Sequence, residues 1–131
     1  MSHLLDMNLL LACAWRSHAE HARARTWLEK QKSFATCPIS QLGFLRVSPG
    51  PGYRASFADA LAALQDITSR QGAAFIADTL AAEKIAAVTS HADATDAYLV
   101  ALAKAHKLKL ATLDAPLRAK AWAKGIAESP L

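Results

Sequence analysis

The spacing of hydrophobic positions changes period several times along this chain. Short, largely apolar runs at Ser2–Leu5, Phe34–Cys37, Ala73–Ala77 and Lys109–Leu113 alternate with longer stretches where apolar residues recur every three or four positions. The short runs read as strands buried on both faces, and the periodic stretches as helices covering them. An amphipathic pattern, Leu9–Trp15, starts almost directly behind Asp6. Ser17-His18-Ala19-Glu20 fits a capping box, which predicts a helix from there to about Lys32. Pro38 suits the first turn of the next helix, which runs through Val47 with Leu42 and Leu45 on one face. Ser48-Pro-Gly-Pro-Gly52 is a loop. Ser56 and Asp59 repeat the capping logic, Leu61, Leu64 and Ile67 follow at helical spacing, and Gly72 is the expected stop. Thr79 is expected to cap a helix ending near Val88. Asp93 opens a long one with Ala94, Ala97, Tyr98, Ala101, Leu102 and Ala105 as its buried stripe. Behind Asp114 a last helix runs to Gly125, and Ile126-Ala127 adds a short edge strand. Strands alternating with helices predict an α/β fold, a parallel sheet covered on both faces, in a single domain spanning 1–131.

Composition narrows the class. With 131 residues, 53% of them hydrophobic, the chain is long enough for a proper core and too apolar for disorder. Asp6 and Asn8 interrupt the apolar stretch Leu4–Trp15, no basic segment precedes it, and no run reaches the length of a membrane span. These features predict a cytoplasmic protein with no membrane association. Cys13 and Cys37 lack C-x-x-C spacing and read as two buried, reduced thiols. The formal charge is +4 with a pI near 9.3. Arg16, Arg23, Arg25, Lys30 and Lys32 form one basic group, and Lys104, Lys107, Lys109, Arg118, Lys120 and Lys124 another. Such faces attract polyanions, and they are equally ordinary solvated helix surface.

The polarity of the elements makes a sharper statement. Asp6 and Asp114 each follow a strand directly, so a parallel sheet puts both on its carboxyl edge, where open α/β sheets bind ligands. The helix behind Phe34–Cys37 begins at that edge, with Gln41 in its first turn. The helix before Lys109–Leu113 must also start there, which brings Asp93 and Asp96 to the same rim. Each acid admits a capping or helix-dipole role, and Asp93 is assigned one. Asp6, Asp96 and Asp114 together repel one another, and a hard divalent cation relieves that repulsion; oxygen donors select Mg²⁺ or Mn²⁺. His18 and His21 have same-face helical spacing but no further ligands nearby, so they read as exposed side chains rather than a zinc site. His91 reads as a loop histidine. There is no Walker or dinucleotide glycine loop and no visible Ser or Cys nucleophile arrangement. Asn8 stands where a haloacid-dehalogenase-type phosphatase needs its second aspartate.

Four segments in order then resemble a known family. They are Leu-Leu-Asp6-Met-Asn8-Leu-Leu-Leu, Ala-Thr-Cys-Pro-Ile-Ser-Gln41-Leu-Gly-Phe-Leu-Arg46-Val, Thr95-Asp96-Ala-Tyr-Leu-Val-Ala-Leu-Ala and Leu-Ala-Thr112-Leu-Asp114. The chain resembles a PIN domain, specifically the toxin of a VapBC-type (type II) toxin–antitoxin pair, over nearly its whole length. The resemblance implies a three-layer α/β/α sandwich and a Mg²⁺-dependent endoribonuclease. It also implies a homodimer and a cognate VapB-type antitoxin that blocks the active site. Carried over by position, Asp6, Asp96 and Asp114 match the acids of the metal centre, and Asn8 and Thr112 match polar residues that help hold it. Gln41 departs from the glutamate common in this turn, which bears on the tightness of the first metal and the presence of a second. A catalytically weak module that binds RNA or antitoxin is the alternative the departure leaves open.

Overall fold

In a computed structural model, which describes residues 3–85 and 88–131, five short strands form one sheet. They are β1 (His3–Leu5), β2 (Phe34–Thr36), β3 (Ala73–Phe75), β4 (Lys109–Ala111) and β5 (Ala127–Glu128), in the order β3-β2-β1-β4-β5 with every pairing parallel. β1 is central: Leu4 lies opposite Ala35 on one side and Leu110 on the other. Strand residues alternate between faces, so neighbouring leucines serve different cores. Leu5 joins Leu9, Leu10, Leu28, Phe34 and Ile67 on one side, whereas Leu4 joins Tyr98, Leu99, Leu102, Leu110 and Leu117 on the other. Helices α1 (Met7–Ala14), α2 (His21–Lys30), α3 (Pro38–Val47) and α4 (Phe57–Thr68) follow the first two strands in pairs, and α5 (Ala94–Ala105) and α6 (Ala115–Arg118) flank β4 in sequence. The result is the α/β sandwich with a central parallel sheet that the alternating pattern predicts.

Several details differ from the sequence reading. The expected strand began at Ser2, which lies outside the described residues; β1 is described from His3. Ser17 and Glu20 form no capping box. Residues 15–21 make two successive turns (His18 N–H to Trp15 O, His21 N–H to His18 O, both 3.0 Å), so helix α2 starts only at His21. The Glu20 carboxylate accepts from Arg23 at 2.8 Å instead. Both histidines are half-buried: Glu20 N–H donates to His18 Nδ1, and His21 Nδ1 lies 2.8 Å from Ala12 O.

In α3 the buried residues are Ser40, Gly43 and Phe44, and Leu42 is 65% exposed. The Ser56 hydroxyl does accept from Asp59 N–H, and Leu64 and Ile67 are buried, with Leu61 at the margin. Helix α4 ends before Gly72; that glycine, at φ +87°, turns the chain into β3 so close to Lys32 O that a Cβ would lie 2.0 Å from it. The helix expected behind Thr79 reduces to a 3₁₀ turn at Ala82–Lys84. There Ile76, Leu80 and Ile85 pack individually against the α5 side, and Leu80 O accepts from the Tyr98 hydroxyl at 2.6 Å. Ala86 and Ala87, in the tail of that expected helix, lie outside the described residues.

Asp93 caps nothing with its side chain; Ser90 caps the 3₁₀ turn at His91–Asp93 that leads into α5, and Asp93 pairs with Lys120 at 3.4 Å. The buried face of α5 is Ala97–Val100 with Leu102 and Ala103, and Ala94 and Ala105 are exposed. The last helix is also broken. Leu117 and Ala123 are both buried, and the chain reaches the second through a fresh 3₁₀ turn at Ala121–Ala123 before Gly125 (φ +80°) leads to β5. Cys13 and Cys37 are free and buried, and burial pushes the Cys13 thiol up to about 12.

Candidate active site

Asp6 leaves β1 with extended backbone and caps α1. Its Oδ1 accepts from Met7 N–H at 2.8 Å, and its Oδ2 accepts from the Thr112 hydroxyl at 2.7 Å. The capping role and the rim position therefore belong to the same residue. Thr112, fully buried just beyond β4, is the hub. Its oxygen also accepts from Asn8 Nδ2 at 3.2 Å and from Asp114 N–H at 3.1 Å. Asn8 Oδ1 in turn accepts from Leu113 N–H at 3.2 Å, tying α1 to the turn behind β4. Asp114 caps α6 through Leu117 N–H at 3.0 Å, and Arg118 donates to Thr112 O at 2.8 Å.

Asp96 arrives from the first turn of α5. Burial pushes its carboxyl up to about 6, and the negative charges of Asp6, Asp114 and Asp93 push the same way. Asp6 is raised as well, chiefly by burial and further by Asp114, against the lowering effect of its bonds to Thr112 and Met7. Asp6, Asp96 and Asp114 thus share one electrostatic environment, held there by three different elements.

A cavity of about 230 Å³ opens between Asp6, Asp96 and α3, lined by Met7, Ser40, Gly43 and Arg46 among others; Asp114 lies outside its lining. Helical phase explains which α3 residues reach it: Ser40, Gly43 and Arg46 recur every third position. Gln41 is turned away, donating from Nε2 to Thr36 Oγ1 at 3.0 Å. The structure thus gathers Asp6, Asn8, Thr112, Asp114 and Asp96, and leaves Gln41 beside the cavity. Arg46 is the group that residue-by-residue reading missed. Its signal was present in the i, i+3, i+6 spacing from Ser40, but the phase of α3 had to be known first. Gly43 matters by its smallness, since a Cβ there would meet Met7 Sδ at 2.7 Å.

Among the described residues, no three His, Cys, Asp or Glu side chains cluster tightly enough to bind an ion by themselves. The donor set still fits one kind of ion. Oxygen-only ligands, with Asp6 and Asp96 disfavoured as anions by burial and by neighbouring negative charge, suit a hard cation that keeps several waters and touches one or two carboxylates.

The sequence matches the PIN domain family over residues 3–123. Among similar proteins of Mycobacterium tuberculosis, Ribonuclease VapC38 is 38% identical over 119 residues, covering 86% of this chain and 84% of that protein. Ribonuclease VapC29 is 37% identical, covering 89% of each, and Ribonuclease VapC39 is 36% identical, covering 89% and 91%. Among solved structures, that of Mycobacterium tuberculosis VapC20, described as a sarcin-ricin loop cleaving toxin, superposes with a TM-score of 0.64. It covers 90% of this chain and 94% of that one at 18% identity, a likeness of fold alone.

Proposed function

This chain belongs to the PIN domain family, and on that premise we propose that its acidic rim cuts RNA. The protein is a metal-dependent endoribonuclease of the VapC type, a hydrolase of phosphodiester bonds and the toxin of a type II toxin–antitoxin pair. One observation supports the site assignment above the others: Asp6 and Asp96, distant in sequence, line one cavity at the carboxyl edge of the sheet, and Thr112 ties Asp6 to the Asp114 backbone.

Asp6 and Asp96 would hold Mg²⁺, or Mn²⁺ by the same oxygen chemistry, directly or through water, with Asp114 completing the set. A cation bound there supplies polarisation of the phosphate and a lowered pKa for the attacking water. The chain's own contribution is positioning. Thr112 holds Asp6 in one rotamer, Asn8 fixes Thr112 and the backbone at Leu113, and α5 delivers Asp96 by its first turn. Arg46, across the cavity, supplies positive charge for a phosphate oxygen beside the one cleaved.

The substrate is single-stranded or loop RNA, because A-form duplexes hide their base edges. The partners are a VapB-type antitoxin that covers the rim and a second copy of the chain in a homodimer. The whole of 1–131 acts as one PIN domain. No helix among the described residues is long and apolar enough to cross a membrane, and the cytoplasm, where its RNA lies, is the proposed site of action.

The deciding experiment incubates purified, antitoxin-free protein with a panel of structured RNAs in Mg²⁺, in EDTA, and as Asp96→Asn in Mg²⁺. Cleavage is expected in the first alone, with losses on the order of 100-fold or more in the others. Equal activity in all three would discard the reading. A second reading rests on α3, where no carboxylate faces the cavity. RNA affinity without turnover under any divalent metal would make the chain a binding module.

A further inference from the structure

The acidic cavity has a neighbour. Ile39, from the first turn of α3, and Thr95, from the first turn of α5, line both the acidic cavity and an adjoining hollow of about 380 Å³. The two spaces share a wall, so a chain threading the first has the second beside it. The volume falls in the range of small-molecule sites. Its other walls are apolar, made by Leu80, Ile85 and the Tyr98 ring, and the Tyr98 hydroxyl is already engaged by Leu80 O. A single charged group lines it: Asp78, three residues beyond β3 and exposed. None of the ion pairs among the described residues uses Asp78, whose neighbour on the protein side is the buried Cys37 thiol.

An apolar slot with one carboxylate at its lip is an unfavourable place for a phosphate and a good one for a base. We infer that this hollow is a base-reading subsite: it takes the nucleobase beside the cleaved phosphate, and Asp78 selects guanine. The inference rests on the ribonuclease reading and adds specificity to it. Unpaired bases are read through their Watson–Crick edges against flat apolar surfaces. Guanine alone presents two adjacent donors there, N1–H and the 2-amino group, matching the two oxygens of a carboxylate. Adenine and cytosine each place an acceptor beside their single amino donor, and uracil places acceptors on both sides of its N–H. A carboxylate repels those acceptors. Leaving a donor site unmatched is what gives polar pockets their discrimination.

The test uses a hairpin RNA library with randomised loops, cut by the full-length protein in Mg²⁺ and in Mn²⁺, with the new ends sequenced. Guanine is expected at one of the two positions flanking the cut, favoured about 10- to 100-fold over the other bases, the discrimination of one good bidentate contact. Asp78→Asn, at an exposed position, is expected to fold normally and to lose the guanine preference. Adenine should gain, since an amide matches a paired donor and acceptor. Inosine in place of the preferred guanosine keeps one donor and should fall between guanine and adenine for the wild type. Cleavage with no base preference at either flank, or a guanine preference that persists in Asp78→Asn, overturns the subsite while leaving the ribonuclease intact. A wild-type protein that cuts no library member in either metal removes the ribonuclease reading and the subsite with it.

Discussion

The side chain that organises the candidate site is the neutral Thr112, whose one oxygen serves Asp6, Asn8 and the Asp114 amide together. Those bonds lower the Asp6 carboxyl only partly; burial wins, and Asp6 stays raised. Asp96 has no such support and is pushed up to about 6 from an unperturbed 3.8. A carboxyl raised in the folded state binds its proton more tightly there than in the unfolded chain. Between about pH 4 and 6 Asp96 is therefore more protonated in the native protein than in the unfolded chain, and its contribution to stability falls as pH rises through that window. Without metal, the melting temperature is expected to decline across it and to level off above. Asp96→Asn should flatten the decline, leaving the slope due to Asp6 and Asp78, which are raised as well. A wild-type profile that rises over the same range in EDTA would contradict the crowded acidic rim. The rim acids were legible before any coordinates because strand polarity alone fixes them: Asp6 and Asp114 sit at strand ends, and Asp96 at the start of an antiparallel crossover helix. The bonding of Thr112 was not, since a buried hydroxyl has no periodicity to betray its partners.

Elements were read well where one face decides them and poorly where side chains compete with the backbone. Strands β2 to β4 came out close to their expected positions; β2 is buried throughout and has few alternatives, whereas β3, at the sheet edge with Phe75 exposed, is held by its pairing with β2. The Ser17 capping box failed because His18 Nδ1 took the Glu20 amide and Arg23 took its carboxylate. The helix behind Thr79 failed because its apolar residues were needed one at a time against α5. Helix α3 shows the consequence for function: its span was right, but its phase puts Ser40, Gly43 and Arg46 toward the acids and Gln41 toward Thr36. Arg46 is exposed, and no carboxylate pairs with it among the described residues. Replacing it with alanine should leave folding unchanged, raise KM about 10-fold and reduce the salt slope of RNA binding by about one. Arg46→Lys should recover the slope but only part of the affinity, because a point charge lacks the fork that grips two phosphate oxygens. Steady-state kinetics across a salt series would reveal it, and an unchanged KM in Arg46→Ala would remove Arg46 from the substrate path.

At the scale of the molecule, the sheet order β3-β2-β1-β4-β5 is what makes a site at all. With β1 central and β4 beside it, the turns after both strands and the start of α5 must meet at one edge, and three acids are brought together at the expense of local stability. On the proposed reading, the same geometry makes the fold a sensor of its cation. An ion that binds the native rim and not the unfolded chain stabilises the protein in proportion to the logarithm of its concentration, by about 2.7 kcal/mol at a hundredfold excess over Kd. For a domain of this length that is a rise in melting temperature on the order of 10 °C. Mg²⁺ and Mn²⁺ should both produce it, and monovalent salt at matched ionic strength should not. In Asp96→Asn the rise should vanish, even though the metal-free variant, with less like charge at the rim, is expected to melt no lower than the metal-free wild type. That pairing separates a cation site from a damaged fold: a variant that simply unfolds more easily would start lower and still respond. If the wild type melts at one temperature whatever the divalent concentration, the three aspartates do not act as a cation site.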